Sequence, residues 1–189
     1  LKGHEVKLID FKRGVSFAVF GRMVQIYSEY AEISKVLAGL VKETNRRLDL
    51  FFASEVENID DYNKISSTKM MNRIVVVIDE LAQLMESSDK ETSKSIKSHL
   101  ETLTRISRAA GINLILGIQR SDSTVVSGEI KNNVPLRICG RFVDPQPSRI
   151  MLGNDMVAKL TTKKGRFIFR SVMYFELKAK SNTIYERKR

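Results

Sequence analysis

Two adjacent acids follow the most hydrophobic segment of the chain. Ile74–Ile78 is a run of β-branched residues, and Asp79 and Glu80 come directly after it. Such a short apolar run predicts a buried strand of a parallel sheet that presents both carboxylates at its C-terminal end. One acid there can orient the water shell of a magnesium ion, while the next polarises a water that attacks a phosphate. The pattern alone leaves a second interpretation open, in which the acids stabilise the N-terminus of a following helix.

Polar side chains also follow two other apolar segments. Residues 6–9 end at Asp10, and residues 112–118 end at Gln119 and Arg120. Because the C-terminal ends of parallel strands meet at one edge of a sheet, we expect Gln119 to face the same crevice as the acid pair. The alternative for Gln119 is a polar strand end that hydrogen-bonds to a neighbouring residue.

Helical and strand patterns alternate along the chain. Apolar residues recur three or four apart over residues 30–52 and again over residues 96–106, where Gly111 is expected near the C-cap. The polar residues 54–72 predict a loop with at most a short helical turn, and residues 87–94 predict a polar connection. This alternation predicts an α/β fold with a mainly parallel sheet flanked by helices.

The C-terminal third has a weaker pattern. Residues 121–134 predict a connection, and Leu136–Gly140 predicts a strand that follows Pro135. Residues 166–170 and 172–177 predict a closing antiparallel pair. The basic residues beyond them predict a frayed tail.

Composition excludes several classes of protein. Hydrophobic residues make up 42% of the 189 residues, and no apolar run is long enough to span a bilayer. A single cysteine, Cys139, excludes a disulfide framework, and His4 and His99 lack metal-ligand spacing. Lys and Arg number 32 against 22 Asp and Glu, and the net charge of +10 fits either a polyanionic partner or an ordinary solvated surface.

The pattern around these strands resembles the FtsK/SpoIIIE family of DNA-pumping ATPases. Residues 105–120, RISRAAGINLILGIQR, are similar to the family's "RAAGI", hydrophobic strand and "TQR". Residues 128–138 resemble its G-x-I-K-x-N-x-P-x-R-I, and residues 148–152 resemble its S-R-x-I-L. Ile9-Asp10 with Lys12 resembles its I-D-P-K.

This resemblance implies a RecA-like P-loop core. It extends over about residues 6–170 in the family's order, as expected of one domain of this length. We therefore expect a motor domain over residues 1–177 and a basic tail over residues 178–189. Phe11 replaces the usual proline, Gly117 stands where alanine is more frequent, and Ser121 stands where proline commonly follows. These departures favour the branch of coupling ATPases that serve conjugative elements.

One family motif does not occur in the sequence. The 10 glycines include no G-x-x-x-x-G-K-[ST], the loop whose N–H groups and lysine hold the nucleotide phosphates. We expect the strand and helix that carry this loop in the family to be missing from a truncated chain, which would be inactive alone. A degenerate, non-hydrolysing domain is the alternative.

The resemblance also implies roles for single residues. Asp79 would hold Mg²⁺ through water, Glu80 would be the catalytic carboxylate, and Gln119 would sense the γ-phosphate of ATP, so all three would contact the bound cofactor. An arginine from a neighbouring subunit would neutralise charge in the transition state. The candidates are Arg105, Arg108, Arg137 and Arg149, of which we favour Arg108 and Arg137. Asp10 and Lys12 would shape the crevice without contacting the nucleotide.

The implied function is ATP-driven movement of double-stranded DNA, in conjugative transfer or chromosome partitioning. The full-length protein would be a homo-hexamer that grips backbone phosphates, in the cytoplasm beneath a membrane anchor that lies outside this chain. Two alternatives remain. One is a ring ATPase of a protein secretion system, and the other is a non-hydrolysing scaffold.

Overall fold

The computed structural model describes residues 3–12, 14–21, 23–67, 70–86, 89–119, 127–141, 144–155 and 166–171. The chain divides into two compact units, Leu1–Gln119 and Arg120–Arg189. The assignment of residues 1–177 to one motor domain stays a prediction. In the described part of the chain, no helix combines the length and the apolarity needed to cross a bilayer.

The first unit is built on a four-stranded parallel sheet. Its strands lie in the order β2-β1-β3-β4, with Ile9 opposite Ile78 and Ile78 opposite Leu116. All four strands therefore end at the same edge, as the sequence predicts for β1, β3 and β4. The elements in chain order are β1 (Glu5–Ile9), a 3₁₀ segment (Val15–Phe20), β2 (Gln25–Tyr27), α1 (Tyr30–Ala53), α2 (Ile59–Ile65), β3 (Ile74–Ile78), α3 (Leu81–Met85), α4 (Lys90–Ile106) and β4 (Ile112–Leu116).

Two amphipathic helices supply much of the core of this unit. α1 packs against α4, and several large apolar residues of each helix are buried. Each large aliphatic side chain buried in this way contributes roughly 1.5–3 kcal/mol relative to exposure. The buried residues are Ile33, Leu37, Leu40 and Phe51 on α1, and Ile96, Leu100 and Leu103 on α4.

A buried arginine connects α1 to the loops that precede β3 and β4. Arg47 Nη1 donates to the carbonyl oxygens of Asn72 at 2.9 Å and Ala110 at 3.0 Å, just before β3 and β4. Its Nε donates to Glu43 Oε1 at 2.7 Å. The hydrogen bonds from Arg46 and Arg47, against the opposing effect of burial, lower the pKa of Glu43 to about 2. Because its charge is partnered, the buried guanidinium stabilises the packing.

The boundaries of α4 and β4 differ from the sequence prediction. α4 begins at Lys90 instead of after residue 94, because the Asp89 carboxylate caps it by accepting the N–H groups of Glu91 and Thr92. The helix ends at Ile106, so Gly111 is not its C-cap. Gly111 has a φ of +73° in the turn before β4, which ends at Leu116 instead of at residue 118.

Three short elements were absent from the sequence prediction. β2 has only three residues, and neither the 3₁₀ segment nor α3 is long enough to show a clear period. Residues 54–72 contain a seven-residue helix, α2, in place of a mere turn. Its N-terminus is fixed by Asn58, whose side chain accepts the N–H groups of Asp60 and Asp61.

In the second unit, the described residues form a two-stranded antiparallel sheet and two helices. Its elements are α5 (Gly128–Asn133), β5 (Leu136–Gly140), α6 (Pro145–Leu152) and β6 (Phe167–Ser171). Ile138 pairs with Phe169, and Cys139, Leu152 and Ile168 form a small buried cluster. Burial raises the pKa of the Cys139 thiol.

One prediction for this unit was wrong in part, because the connection predicted over residues 121–134 contains α5. The strand predicted at residues 166–170 is present as β6 and pairs with β5. Residues 172–177 and the tail 178–189 lie outside the described residues. α6 was not predicted, since two prolines interrupt its apolar pattern, although Pro145 suits a first helical turn that Asp144 caps.

Candidate active site

The candidate site lies where β1, β3 and β4 end side by side. Hydrogen bonds between the strands continue past their last residues, from Asp79 N to Ile9 O at 3.0 Å and from Gly117 N to Ile78 O at 2.7 Å. A further bond joins Leu81 N to Gly117 O at 2.9 Å. The backbone that carries the acid pair is therefore held from both sides.

Glu80 joins the ends of β3 and β4. Its carboxylate is buried, and Oε1 accepts the Ala82 N–H at 3.1 Å while Oε2 accepts the Gln119 N–H at 2.9 Å. The first bond caps α3, so the helix-capping interpretation is correct for Glu80. The second bond brings Gln119 to the acid pair through its backbone, while the Gln119 side chain is exposed. A carboxylate has about four acceptor positions, so Glu80 retains capacity to accept a proton from water.

Gly117 permits this close approach of the two strands. A Cβ atom at this position would overlap the carbonyl oxygen of Asp79. An alanine at this position could not be accommodated without a shift of the strand ends. Glycine is therefore part of what positions Asp79 and Glu80 in this chain.

Asp10 and Lys12 occupy the β1 side of the same edge. Asp10 is 1% exposed, and its Oδ1 accepts the Lys12 N–H at 2.8 Å. Asp10 Oδ2 is buried and has no hydrogen-bond partner among the described residues. The Lys12 ammonium lies 3.8 Å from Asp79 Oδ2. Both residues thus lie at this edge of the sheet, and their role in shaping a crevice stays a prediction.

These residues fit the metal half of a magnesium–nucleotide site. Magnesium keeps several waters and is bound by one or two carboxylates together with phosphate oxygens. Asp79 is half-buried at the strand end, and the unpartnered Asp10 Oδ2 is an acceptor for a metal-bound water. In the described part of the chain, no three His, Cys, Asp or Glu residues cluster as a ready metal cage.

The profile of the FtsK/SpoIIIE family matches residues 2–123, a segment that includes this entire edge. The chain belongs to the FtsK/SpoIIIE family. The resemblance seen in its motifs is therefore confirmed, and so is the mainly parallel α/β fold.

Curated FtsK relatives match most of the chain. It is 35% identical over 177 residues to DNA translocase FtsK of Staphylococcus epidermidis, which covers 86% of this chain and 22% of that protein. DNA translocase FtsK of Oceanobacillus iheyensis is 33% identical over 186 residues, covering 90% of this chain and 23% of that protein. The chain thus spans less than a quarter of these relatives.

Solved structures give the same fold. The pCW3 conjugation coupling protein TcpA, in a monomer form with ATPγS, superposes with a TM-score of 0.86 and 43% identity over 90% of this chain and 50% of that one. The cytoplasmic domain of the Thermomonospora curvata type VII secretion ATPase EccC gives 0.69 at 20% identity, over 89% of this chain and 20% of that one. At that identity the second similarity concerns the fold alone.

The candidate arginines of this FtsK/SpoIIIE chain differ in their surroundings. Arg105 is exposed at the end of α4, Arg108 is exposed in the turn that follows this helix, and Arg149 is exposed at the end of α6. Arg137 is half-buried. Its guanidinium donates to the carbonyl oxygens of three residues of its own unit, which are Lys131, Val134 and Met151. Burial, together with the charge of Arg170, lowers the pKa of Arg137.

One pair of site-supporting residues was absent from the sequence analysis. Phe11 packs against Tyr30 with ring centroids 4.7 Å apart, and the Tyr30 hydroxyl donates to Gln83 O at 2.8 Å. These contacts connect the end of β1 to α3 through the start of α1. Phe11 was noted only as a replacement for the family's proline, and no local spacing relates it to a residue so distant in sequence.

Proposed function

We propose that this chain is part of the motor of an ATP-driven double-stranded DNA translocase. The observation that carries the proposal is the shared sheet edge, where Glu80 accepts the Gln119 N–H next to Asp79. The similarity to proteins named DNA translocase FtsK supports it. In this interpretation the edge receives the magnesium–ATP complex, and the phosphate-binding loop is supplied by residues outside this sequence.

Each residue of the edge has a distinct part in the proposed reaction. Asp79 holds waters of the magnesium ion, which supplies the positive charge that neutralises the phosphates. Glu80 accepts a proton from the attacking water through the acceptor positions that Ala82 and Gln119 leave open. The Gln119 side chain extends from the exposed end of β4 and senses the γ-phosphate.

The Glu80–Gln119 hydrogen bond couples ATP hydrolysis to the segment that follows β4. When Glu80 gains a proton, its Oε2 becomes a weaker acceptor for the Gln119 N–H. The position of Gln119 then depends on the state of the reaction. Residues after Gln119 would transmit that change to DNA.

Assembly and partners follow the same proposal. The full-length protein forms a homo-hexamer, and an arginine of one subunit reaches the nucleotide of the next. Arg108 suits this role better than Arg137, because Arg137 is half-buried and donates to three carbonyl oxygens of its own unit. DNA is gripped through backbone phosphates, so affinity should fall steeply with salt. The motor works in the cytoplasm, and a segment outside this chain anchors it to the membrane.

Transfer of DNA between cells is the process we favour over chromosome partitioning. Identity is 43% with the conjugation coupling protein TcpA and 35% with FtsK of Staphylococcus epidermidis. Phe11 and Gly117, which depart from the family pattern, both have structural roles at the edge. A secretion ATPase shares the fold, so stimulation of hydrolysis by DNA is the property that separates the two functions.

Substitution of Glu80 tests the proposal in the full-length gene product. Glu80→Gln should lower DNA-stimulated ATP hydrolysis at least about 100-fold, because the variant loses its general base. Binding of a fluorescent ATP analogue should persist. The exposed Glu57→Gln is the matched control and should hydrolyse ATP normally. An active, folded Glu80→Gln enzyme would show that the water is activated elsewhere.

A further inference from the structure

Lys12 is placed against the proposed magnesium acid by a turn at the end of β1. Its ammonium lies 3.8 Å from Asp79 Oδ2, so Lys12 and Asp79 form an ion pair. The Lys12 N–H donates to Asp10 Oδ1 at 2.8 Å, and the Lys12 carbonyl accepts from Val15 N at 3.2 Å. Both backbone groups of Lys12 are therefore fixed within the turn.

The residue that fixes this turn is itself rigidly held. Asp10 N donates to Tyr27 O at 3.0 Å, and Asp10 O accepts the Ser28 hydroxyl at 2.8 Å. The Asp10 side chain is 1% exposed, and its Oδ2 atom lacks a donor among the described residues. The residue that positions Lys12 therefore has a buried carboxylate oxygen that accepts no hydrogen bond from the described residues. Such an oxygen favours the binding of a cation, or of a water bound to a cation.

The Lys12–Asp79 ion pair is weak enough for another cation to replace the Lys12 ammonium. At 3.8 Å it is longer than a hydrogen bond, and the Lys12 side chain is 49% exposed. Exposed pairs of this kind contribute little to stability, so the ammonium can leave at small cost. While it remains, its positive charge opposes the approach of another cation to the same carboxylate.

We propose that Lys12 is the counter-ion of Asp79 in the metal-free protein and is displaced when a divalent cation binds there. Lys12 is thus a positioning residue that holds the carboxylate at the strand end and sets how tightly the metal binds. This inference rests on the proposed role of Asp79 as the magnesium acid.

Manganese binding to the purified chain tests the proposal without ATP hydrolysis. Mn²⁺ replaces Mg²⁺ as the probe, and electron paramagnetic resonance reports the free ion. Lys12→Met, which keeps the length and removes the charge, should bind Mn²⁺ about three- to tenfold more tightly than the unsubstituted chain. Lys12→Arg keeps the charge and should restore the original affinity.

A second ion-paired lysine provides the matched control. Lys64 lies 2.8 Å from Asp61 on α2, and Lys64→Met removes the same charge from that pair. It should leave Mn²⁺ affinity unchanged, which separates a local effect from a change in net charge. Thermal unfolding of each variant shows that the fold is retained.

The outcomes separate this inference from the proposed function. If Asp79→Asn binds Mn²⁺ as well as the unsubstituted chain, Asp79 is not the metal acid and both proposals fail. If Asp79→Asn binds weakly but Lys12→Met shows no gain, the counter-ion role alone is wrong. Weaker binding of a fluorescent ATP analogue by Lys12→Met in the full-length gene product, at unchanged Mn²⁺ affinity, would overturn it by making Lys12 a phosphate ligand.

Discussion

At the scale of single residues, Gly117 shows how closely the site depends on one missing methyl group. Because a Cβ atom there would overlap the Asp79 carbonyl oxygen, Gly117→Ala should push the ends of β3 and β4 apart. We expect a loss of about 1–3 kcal/mol in the free energy of unfolding, the usual cost of overpacking. Urea denaturation followed by circular dichroism measures it.

Gly39 supplies the control for this substitution. It lies in α1, and a Cβ atom added there would meet nothing within 4 Å. Gly39→Ala should therefore stabilise the chain by up to about 1 kcal/mol through helix propensity. Equal effects at the two glycines would contradict the close approach at Gly117.

Residue types predicted part of the site and missed the contacts that assemble it. Asp79 and Glu80 were evident because an apolar strand ending in acids is a local pattern. The hydrogen bond from Gln119 N to Glu80 depends on the register of two strands separated by α3 and α4. The spacing of residues along the sequence does not reveal the register of these two strands. For the same reason Lys12 was placed at the crevice without its partner Asp79.

At the scale of elements, α1 contains a pH-sensitive connection to the sheet. Glu43 has its pKa lowered to about 2 by hydrogen bonds from Arg46 and Arg47, so its charged form is favoured in the folded chain. Its contribution to stability is complete above its ordinary pKa of 4.5 and is lost as the pH falls towards 2.

Comparison with a neutral variant isolates this contribution. Glu43→Gln should be about 1–2 kcal/mol less stable than the unsubstituted chain at pH 6, a value reduced by solvent because the side chain is 28% exposed. The difference should shrink as the pH approaches 2.5. Urea denaturation at several pH values measures it, with the exposed Glu57→Gln as control. A difference that stays constant with pH would mean that the carboxylate charge is not what stabilises α1.

Element boundaries were predictable where the pattern is long and local. β3 and α1 follow directly from an apolar run and a helical period. The first turn of α4 is polar and was mistaken for a connection, because its stability comes from the Asp89 cap and not from burial. β2 and α3 have three and five residues, too few for any period to be recognised. The pairing of β5 with β6 was not predicted, because antiparallel pairing between distant segments has no local signature.

At the scale of the whole molecule, the proposed site has residues for the metal but no recognisable loop for the phosphates. The sequence has acids at the strand ends and 10 glycines, but no G-x-x-x-x-G-K-[ST]. The proposed chemistry needs both halves, because Asp79 would hold waters of the metal ion and a lysine-containing loop would hold the phosphates. The proposal therefore divides the site between this chain and residues outside its sequence.

This division predicts different behaviour for metal and nucleotide. The purified chain should bind Mn²⁺ through Asp79, yet should show no ATP hydrolysis above background and only weak binding of a fluorescent ATP analogue, because no lysine-containing loop holds the phosphates. A coupled phosphate-release assay with and without double-stranded DNA measures turnover, and the full-length gene product is the positive control. The chain alone could instead hydrolyse ATP and lose this activity in Glu80→Gln. That result would show that the residues of this chain hold the triphosphate, and the proposal of a divided site would then be wrong.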